Sequence, residues 1–281
     1  MAHGMRNIAA MLCAVSIMIG TGACGTSISV VTNGQAQGPT ITIGVATDQP
    51  GLGLLHGKDY SGFDITVARY VAQYLGFADK QVVFTKVIPS TRVSALTSGD
   101  VDMVVDSFAM DASYDDKVTF AGPYLTVRRD LLIRGDSADV ISGVDDLDGK
   151  TVCTAKGGTY GSDMRNLAAS VTVEERDTYP QCVTSLMIGE ADAIVSDDAI
   201  LTGLATDRGN GYLQVVGNPF GEESYGIAVR HGESELAGQI DAALKSMLAD
   251  GSWKSAVRTM KQEIGYTTDA SLNPPTVQRK D

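Results

Sequence analysis

Two short strings hold the residues best suited to chemistry. Leu96-Thr-Ser-Gly-Asp-Val-Asp-Met-Val-Val-Asp106-Ser107 recurs as Leu186-Met-Ile-Gly-Glu-Ala-Asp-Ala-Ile-Val-Ser196-Asp197. Each copy reads as a helix end, a glycine stop, a Gly-acid-x-Asp turn and a short buried strand. Ligands of open α/β sheets bind beyond the carboxyl ends of the strands. Asp106-Ser107 and Ser196-Asp197 occupy those ends, so carboxylates and hydroxyls stand where a polar ligand would sit. Covalent catalysis finds no support. His56 and His231 are isolated, Gly135-Asp136-Ser137 reads as a turn, and Gly51-x-Gly53 lacks the strand, helix and distant acid of a dinucleotide site.

The chain that positions these residues has 281 residues, 31 of them glycine, and a formal charge of −12. Its 43% hydrophobic content can bury a sizeable core. Twenty-two Lys and Arg against 34 Asp and Glu argue against nucleic acid, which needs a basic face. Three His and four Cys leave little for a metal centre, and no cofactor motif is present.

Residues 1–23 have the form of an address: Arg6, an apolar run from Ile8 to Ile19, then small residues. Ile8–Ile19 is too short to span a bilayer. Gly22-Ala23-Cys24 resembles the lipobox of bacterial lipoproteins, which implies lipidation of Cys24; plain secretion with cleavage near Ala23 is the alternative. Residues 24–38 are then expected to act as a flexible tether between membrane and domain. In an exported protein, Cys153 and Cys182 are expected to form a disulfide, with two buried thiols as the alternative. Closing that loop would stabilise by roughly 3–4 kcal/mol in the chain-entropy model.

The elements follow an α/β alternation. Thr40–Ala46 is β-branched and apolar. Asp64 reads as the N-cap of a helix carrying Ile65, Ala68, Ala72 and Leu75 on one face, stopped by Gly76. Val82–Ile88 reads as a strand, Thr91–Ser98 as a short helix and Met103–Val105 as a buried strand. Glu235–Ala249 is an amphipathic helix, Trp253 opens another, and residues 267–281 read as a loose end. With the echoed string, this predicts two similar lobes rather than one large sheet.

Seven strings in order across residues 40–266 resemble the extracellular solute-binding proteins of polar amino-acid ABC transporters, nearest to the actinobacterial glutamate-binding lipoproteins. They are Asp48–Gly53, Tyr60–Ile65, Leu96–Met103, Phe120–Tyr124, Asp146–Cys153, Asp197–Gly203 and Glu223–Ala228. The resemblance implies a type II periplasmic-binding-protein fold: two Rossmann-like α/β lobes joined by two crossing strands, closing over ligand by a hinge. Lobe one would comprise 39–133 and 228–266, lobe two 134–227, and the crossings Asp130–Arg134 and Ser224–Val229. The disulfide would lie within lobe two.

The resemblance also implies site roles. Asp197 falls on the carboxylate that binds the ligand ammonium, with helix N-cap as its structural alternative. Gly158, Thr159 and Tyr160 fall on a loop whose backbone N–H groups hold a carboxylate. Asp48 falls where some members contact the ligand side chain. Ser107 precedes a stretch in which members carry a hydroxyl, a Thr and an Arg that clamps the α-carboxylate. Here those positions are Ala109, Asp111 and Tyr114. Either another arginine substitutes, with Arg92, Arg128 and Arg129 the candidates, or the ligand is not a standard α-amino acid. The expected function is an extracytoplasmic substrate-binding lipoprotein, a monomer serving an ABC permease and ATPase, with glutamate, aspartate or glutamine as ligand. The alternative is a bilobed receptor that reports an amine, modified amino acid or peptide to a membrane sensor. An enzyme on this fold is the least favoured reading.

Overall fold

The computed structural model describes residues 39–168 and 170–278. The expected signal segment, lipidated Cys24 and tether lie outside the described residues. Among the described residues, no helix is long and apolar enough to cross a membrane.

In chain order, β1 (Ile41–Val45) is followed by three short strands, β2 (Asp48–Gln49), β3 (Gly53–His56) and β4 (Asp59–Ser61), which form a small antiparallel sheet. Helix α1 (Phe63–Tyr74), β5 (Val82–Lys86), α2 (Arg92–Ser98) and β6 (Met103–Ala109) complete the first α/β unit. The long β7 (Val118–Arg134) leads to β8 (Thr151–Ala155), α3 (Tyr160–Leu167), β9 (Thr172–Arg176), α4 (Tyr179–Met187) and β10 (Ala193–Asp197). Helix α5 (Asp198–Arg208), β11 (Leu213–Val215), β12 (Gly221–Arg230), α6 (Ser234–Ala249) and α7 (Ser252–Ile264) finish the chain.

The two halves share one plan. β1 lies between β5 and β6, all parallel, and β8 lies between β9 and β10, again all parallel. The echoed turn does the same work in each. Gly99 and Gly189 adopt φ of +80° and +79°, a left-handed conformation that glycine takes without steric cost. The Asp102 carboxylate then accepts from Thr42 N–H at 2.8 Å, and the Asp192 carboxylate from Thr151 N–H at 2.8 Å. Each aspartate thus fixes the start of the central strand of its half.

The halves are two lobes, yet they are not separate sheets. Antiparallel β12 and β7 lie between β6 and β10, so hydrogen bonding runs unbroken through a nine-stranded sheet. Here the two shared strands pair with each other and with one strand of each lobe, which links the ladders and corrects the expectation that two lobes exclude one large sheet. Asp130–Arg134 pairs with β10 and β11 of the second half. Ser224–Val229 pairs with β7 and, at Tyr225–Val229, with β6 of the first half.

The cores follow burial of apolar faces. Phe63, Val67, Ala68 and Val71 of α1 pack with Ile43 and Val45 of β1, while Leu131, Val152, Met164 and Val195 form a satellite core in the second lobe. Cys153 of β8 and Cys182 of α4 are fully buried and form the expected disulfide, with Cα atoms 5.5 Å apart.

Two local expectations are corrected. Asp64 is not a cap: Gly62 holds that position, and the fully buried Asp64 carboxylate instead accepts from Ser107 and Tyr124. The C-terminal segment is laid down as far as Gln278. Asp269 pairs with Arg128, Asn273 bonds both backbone groups of Thr126, Gln278 N–H donates to Gly122 C=O, and Val277 is buried. Polar anchors and one apolar plug hold it against β7.

Candidate functional site

Where the carboxyl ends of β6 and β10 face each other, the lobes enclose a cavity of about 30 Å³. That volume admits two or three waters, less than an organic ligand needs. The first lobe contributes Gln49, Arg92, Asp106, Ser107 and Tyr114, and the second Gly158, Thr159, Tyr160, Tyr179 and Asp197. The lobes touch directly. Tyr114 OH donates to Gly157 C=O at 2.7 Å. Gly157 has φ of +96°, and a Cβ there would lie 2.5 Å from Ser90 Cα.

Asp197 ends β10 and occupies the N-cap position of α5, but its side chain makes no capping bond. Instead Tyr225 OH donates to Oδ2 at 2.6 Å and Tyr160 OH donates to Oδ1. Burial, followed by the negative charge of Glu223, pushes the carboxyl up to about 7, and the two tyrosine bonds oppose that shift. A cation placed beside Asp197 would relieve its desolvation.

Ser107 has φ of +45°, a left-handed conformation uncommon for a residue with a side chain. Its N–H donates to Asp64 Oδ2 at 2.7 Å, and its hydroxyl lies 2.8 Å from the same oxygen and 2.9 Å from Gln49 Oε1. Buried Asp64 thus holds the turn that ends β6 and presents Ser107 to the cavity. Burial raises Asp64 to about 6, against the bonds from Ser107 and Tyr124.

Arg92 opens α2 and is buried at 5% exposure. Its guanidinium carbon sits 3.6 Å from the Phe108 ring centroid, and Nη1 lies 3.8 Å from Asp106 Oδ2. Of the three candidate arginines, it is the one at the cavity. Arg128 is tied to Glu222 and Asp269, and Arg129 to Glu223 and Asp163. Those carboxylates engage both side chains, although the Arg129 guanidinium lies 5.5 Å from the ring centroid of cavity-lining Tyr160.

The cavity gathers Arg92, Ser107, Tyr114, Gly158, Thr159, Tyr160 and Asp197 of the expected set. It does not gather Asp48 or Asp111. Asp48 is the neighbour of cavity-lining Gln49 in the two-residue β2, and successive side chains of a strand face opposite ways. Asp111 caps the turn Ala112–Tyr114, its carboxylate accepting from Ser113 N–H at 2.9 Å. Gln49 and Tyr179 are cavity residues that no local sequence signal marked. Ser196 of the echoed string is fully buried and donates to Tyr179 OH at 2.7 Å.

Comparison with known proteins agrees with this architecture. Residues 41–260 match the family described as bacterial extracellular solute-binding proteins, family 3. The chain is 35% identical to the glutamate-binding protein GluB of Corynebacterium efficiens, covering 92% of this chain and 91% of that protein. It is 35% identical to the ABC transporter glutamine-binding protein GlnH of Bacillus subtilis, covering 75% and 77%. Among solved structures, an ancestral arginine-binding protein bound to glutamine superposes with a TM-score of 0.73 at 30% identity, covering 81% of this chain and 98% of that one. These relatives are binding proteins by name, and the present chain has a solute-binding rather than an enzymatic role. It belongs to the family 3 bacterial extracellular solute-binding proteins.

Proposed function

We propose that the chain is the lipid-anchored, extracytoplasmic receptor of an ABC importer and takes glutamate, aspartate or glutamine between its lobes. One observation carries this reading. A buried carboxylate, Asp197, faces the cavity from one lobe and a buried guanidinium, Arg92, faces it from the other. An amino acid matches that polarity with its ammonium on Asp197 and an acceptor on Arg92. The Gly158–Tyr160 turn at the start of α3 offers backbone N–H groups to the α-carboxylate. Relatives named for glutamate and glutamine support the ligand class, and the lipobox-like end at Cys24 supports anchoring. The partners are a permease and ATPase, and the receptor acts as a monomer without a cofactor.

Isothermal titration of the purified protein with the three amino acids tests the reading. Binding is expected, and Asp197→Ala should weaken it by about a hundredfold or more, as for a truncated partner of a buried charge pair. Absence of heat with all three would overturn the ligand assignment.

A second reading has its own observation. Asp106 and Asp197 outnumber Arg92 at the cavity, and Tyr114 brings no positive charge. A cationic amine reported to a membrane sensor would suit that excess of acid. Thermal-shift stabilisation by amines but by none of the three amino acids would favour it.

A further inference from the structure

Arg92 and Asp106 stand side by side at the cavity, and each has buried polar atoms that the protein leaves without a hydrogen bond. Asp106 is 1% exposed, and both of its carboxylate oxygens are buried without a hydrogen-bond partner. Arg92 Nε is buried and equally unpartnered. Their closest approach, 3.8 Å, is an ion pair beyond hydrogen-bond length. A buried polar group left without a bond costs stability, so one retained at a ligand cavity points to a bond supplied by the ligand. The stack of Arg92 on Phe108 and the position of Asp106 within β6 hold both groups in place.

The pair presents one donor fork beside one acceptor. A carboxamide is the complementary group, since it carries one carbonyl acceptor and one NH2 donor on the same carbon. A carboxylate offers acceptors only. Its second oxygen would meet the Asp106 carboxylate as a like charge.

Resting on the amino-acid reading above, we propose that Arg92 and Asp106 are an amide-recognition pair. The ligand's side-chain carbonyl accepts from Arg92 and its NH2 donates to Asp106, which selects glutamine or asparagine over glutamate or aspartate. Asp106 is then a specificity-determining residue, separate from Asp197, which takes the ammonium. Burial raises the Asp106 carboxyl well above the ordinary carboxylate range, against the pull of Arg92. A proton taken up by Asp106 would let it donate to a ligand carboxylate, so the preference for amide should weaken as pH falls.

Calorimetric titration at pH 7.5 with glutamine, asparagine, glutamate and aspartate provides the test. The wild-type protein should bind the better amide at least about tenfold more tightly than its acid, the scale of one unsatisfied buried bond. Asp106→Asn keeps the shape, removes the charge and supplies an NH2 to a carboxylate, so the amide-to-acid ratio should fall by about tenfold or more. Equal or tighter wild-type binding of the acids overturns the proposal whether or not the variant folds. So does a variant that binds with an unchanged ratio. If the wild-type protein binds none of the four, the amino-acid reading itself has failed.

Discussion

At the residue scale, Asp197 links ligand binding to protons. Its carboxyl is raised to about 7 by burial and by Glu223. A carboxyl raised above its unfolded value of 3.8 binds more protons in the folded state, so its contribution to stability is full below about 4 and is lost as pH rises through 7. The unliganded protein should therefore melt at lower temperature at pH 7.5 than at pH 5.5, and Asp197→Asn should narrow that gap. An ammonium ligand favours the ionised form. Ligand uptake near pH 6.5 should release a proton, visible as a binding heat that varies with the ionisation enthalpy of the buffer. A heat independent of buffer would separate Asp197 from the ammonium. The type of this residue and its place at a strand end were visible in the sequence. Its two tyrosine partners, Tyr160 and Tyr225, stand far from it in the chain and were not. Asp64 was misjudged for the same reason. Locally it has the look of a cap, and only the fold reveals that Ser107 and Tyr124 use it.

At the scale of elements, the repeated Gly-acid-x-Asp turn was the most legible feature, because its function is local to one strand end and its neighbour. The matching bonds of Asp102 to Thr42 and of Asp192 to Thr151 give that repeat a physical cause. Parity within β2 was not legible. Two residues are too few to show an alternation, so Asp48 was favoured where Gln49 faces the cavity. The Lys156–Tyr160 turn was legible as a glycine-rich start to α3, but its contact with Ser90 belongs to closure of the lobes. Gly157→Ala tests that contact. The added Cβ would strike backbone at 2.5 Å and also strain a left-handed φ, so the lobes cannot close as they are. Affinity for the ligand should fall about tenfold or more with the disulfide-bonded lobe still folded. Unchanged affinity in calorimetric titration would mean that closure can proceed without the Gly157–Ser90 approach.

At the scale of the whole molecule, the substitution of Tyr114 for the expected arginine has a positive role. Its ring packs edge-on against Phe108, with centroids 4.9 Å apart, and its hydroxyl reaches across the cleft to Gly157 C=O. An arginine at this position would hold ligand, whereas the tyrosine holds the other lobe. The bond involves protein groups alone, so it contributes to closure independently of any contact with ligand. Population of the closed form then rests on a small difference between states. Tyr114→Phe keeps the ring contact and removes one interlobe hydrogen bond at the cleft, leaving that of Thr206 to Ile264 in place, a change of about 1 kcal/mol in favour of the open form. The unliganded variant should show a larger radius of gyration by small-angle X-ray scattering, and saturating ligand should restore the wild-type value. Because ligand affinity is reduced by the fraction of competent protein, the variant should also bind a few-fold more weakly and release ligand faster. A radius of gyration identical to wild type without ligand would show instead that the hinge and the C-terminal segment along β7 keep the lobes closed unaided.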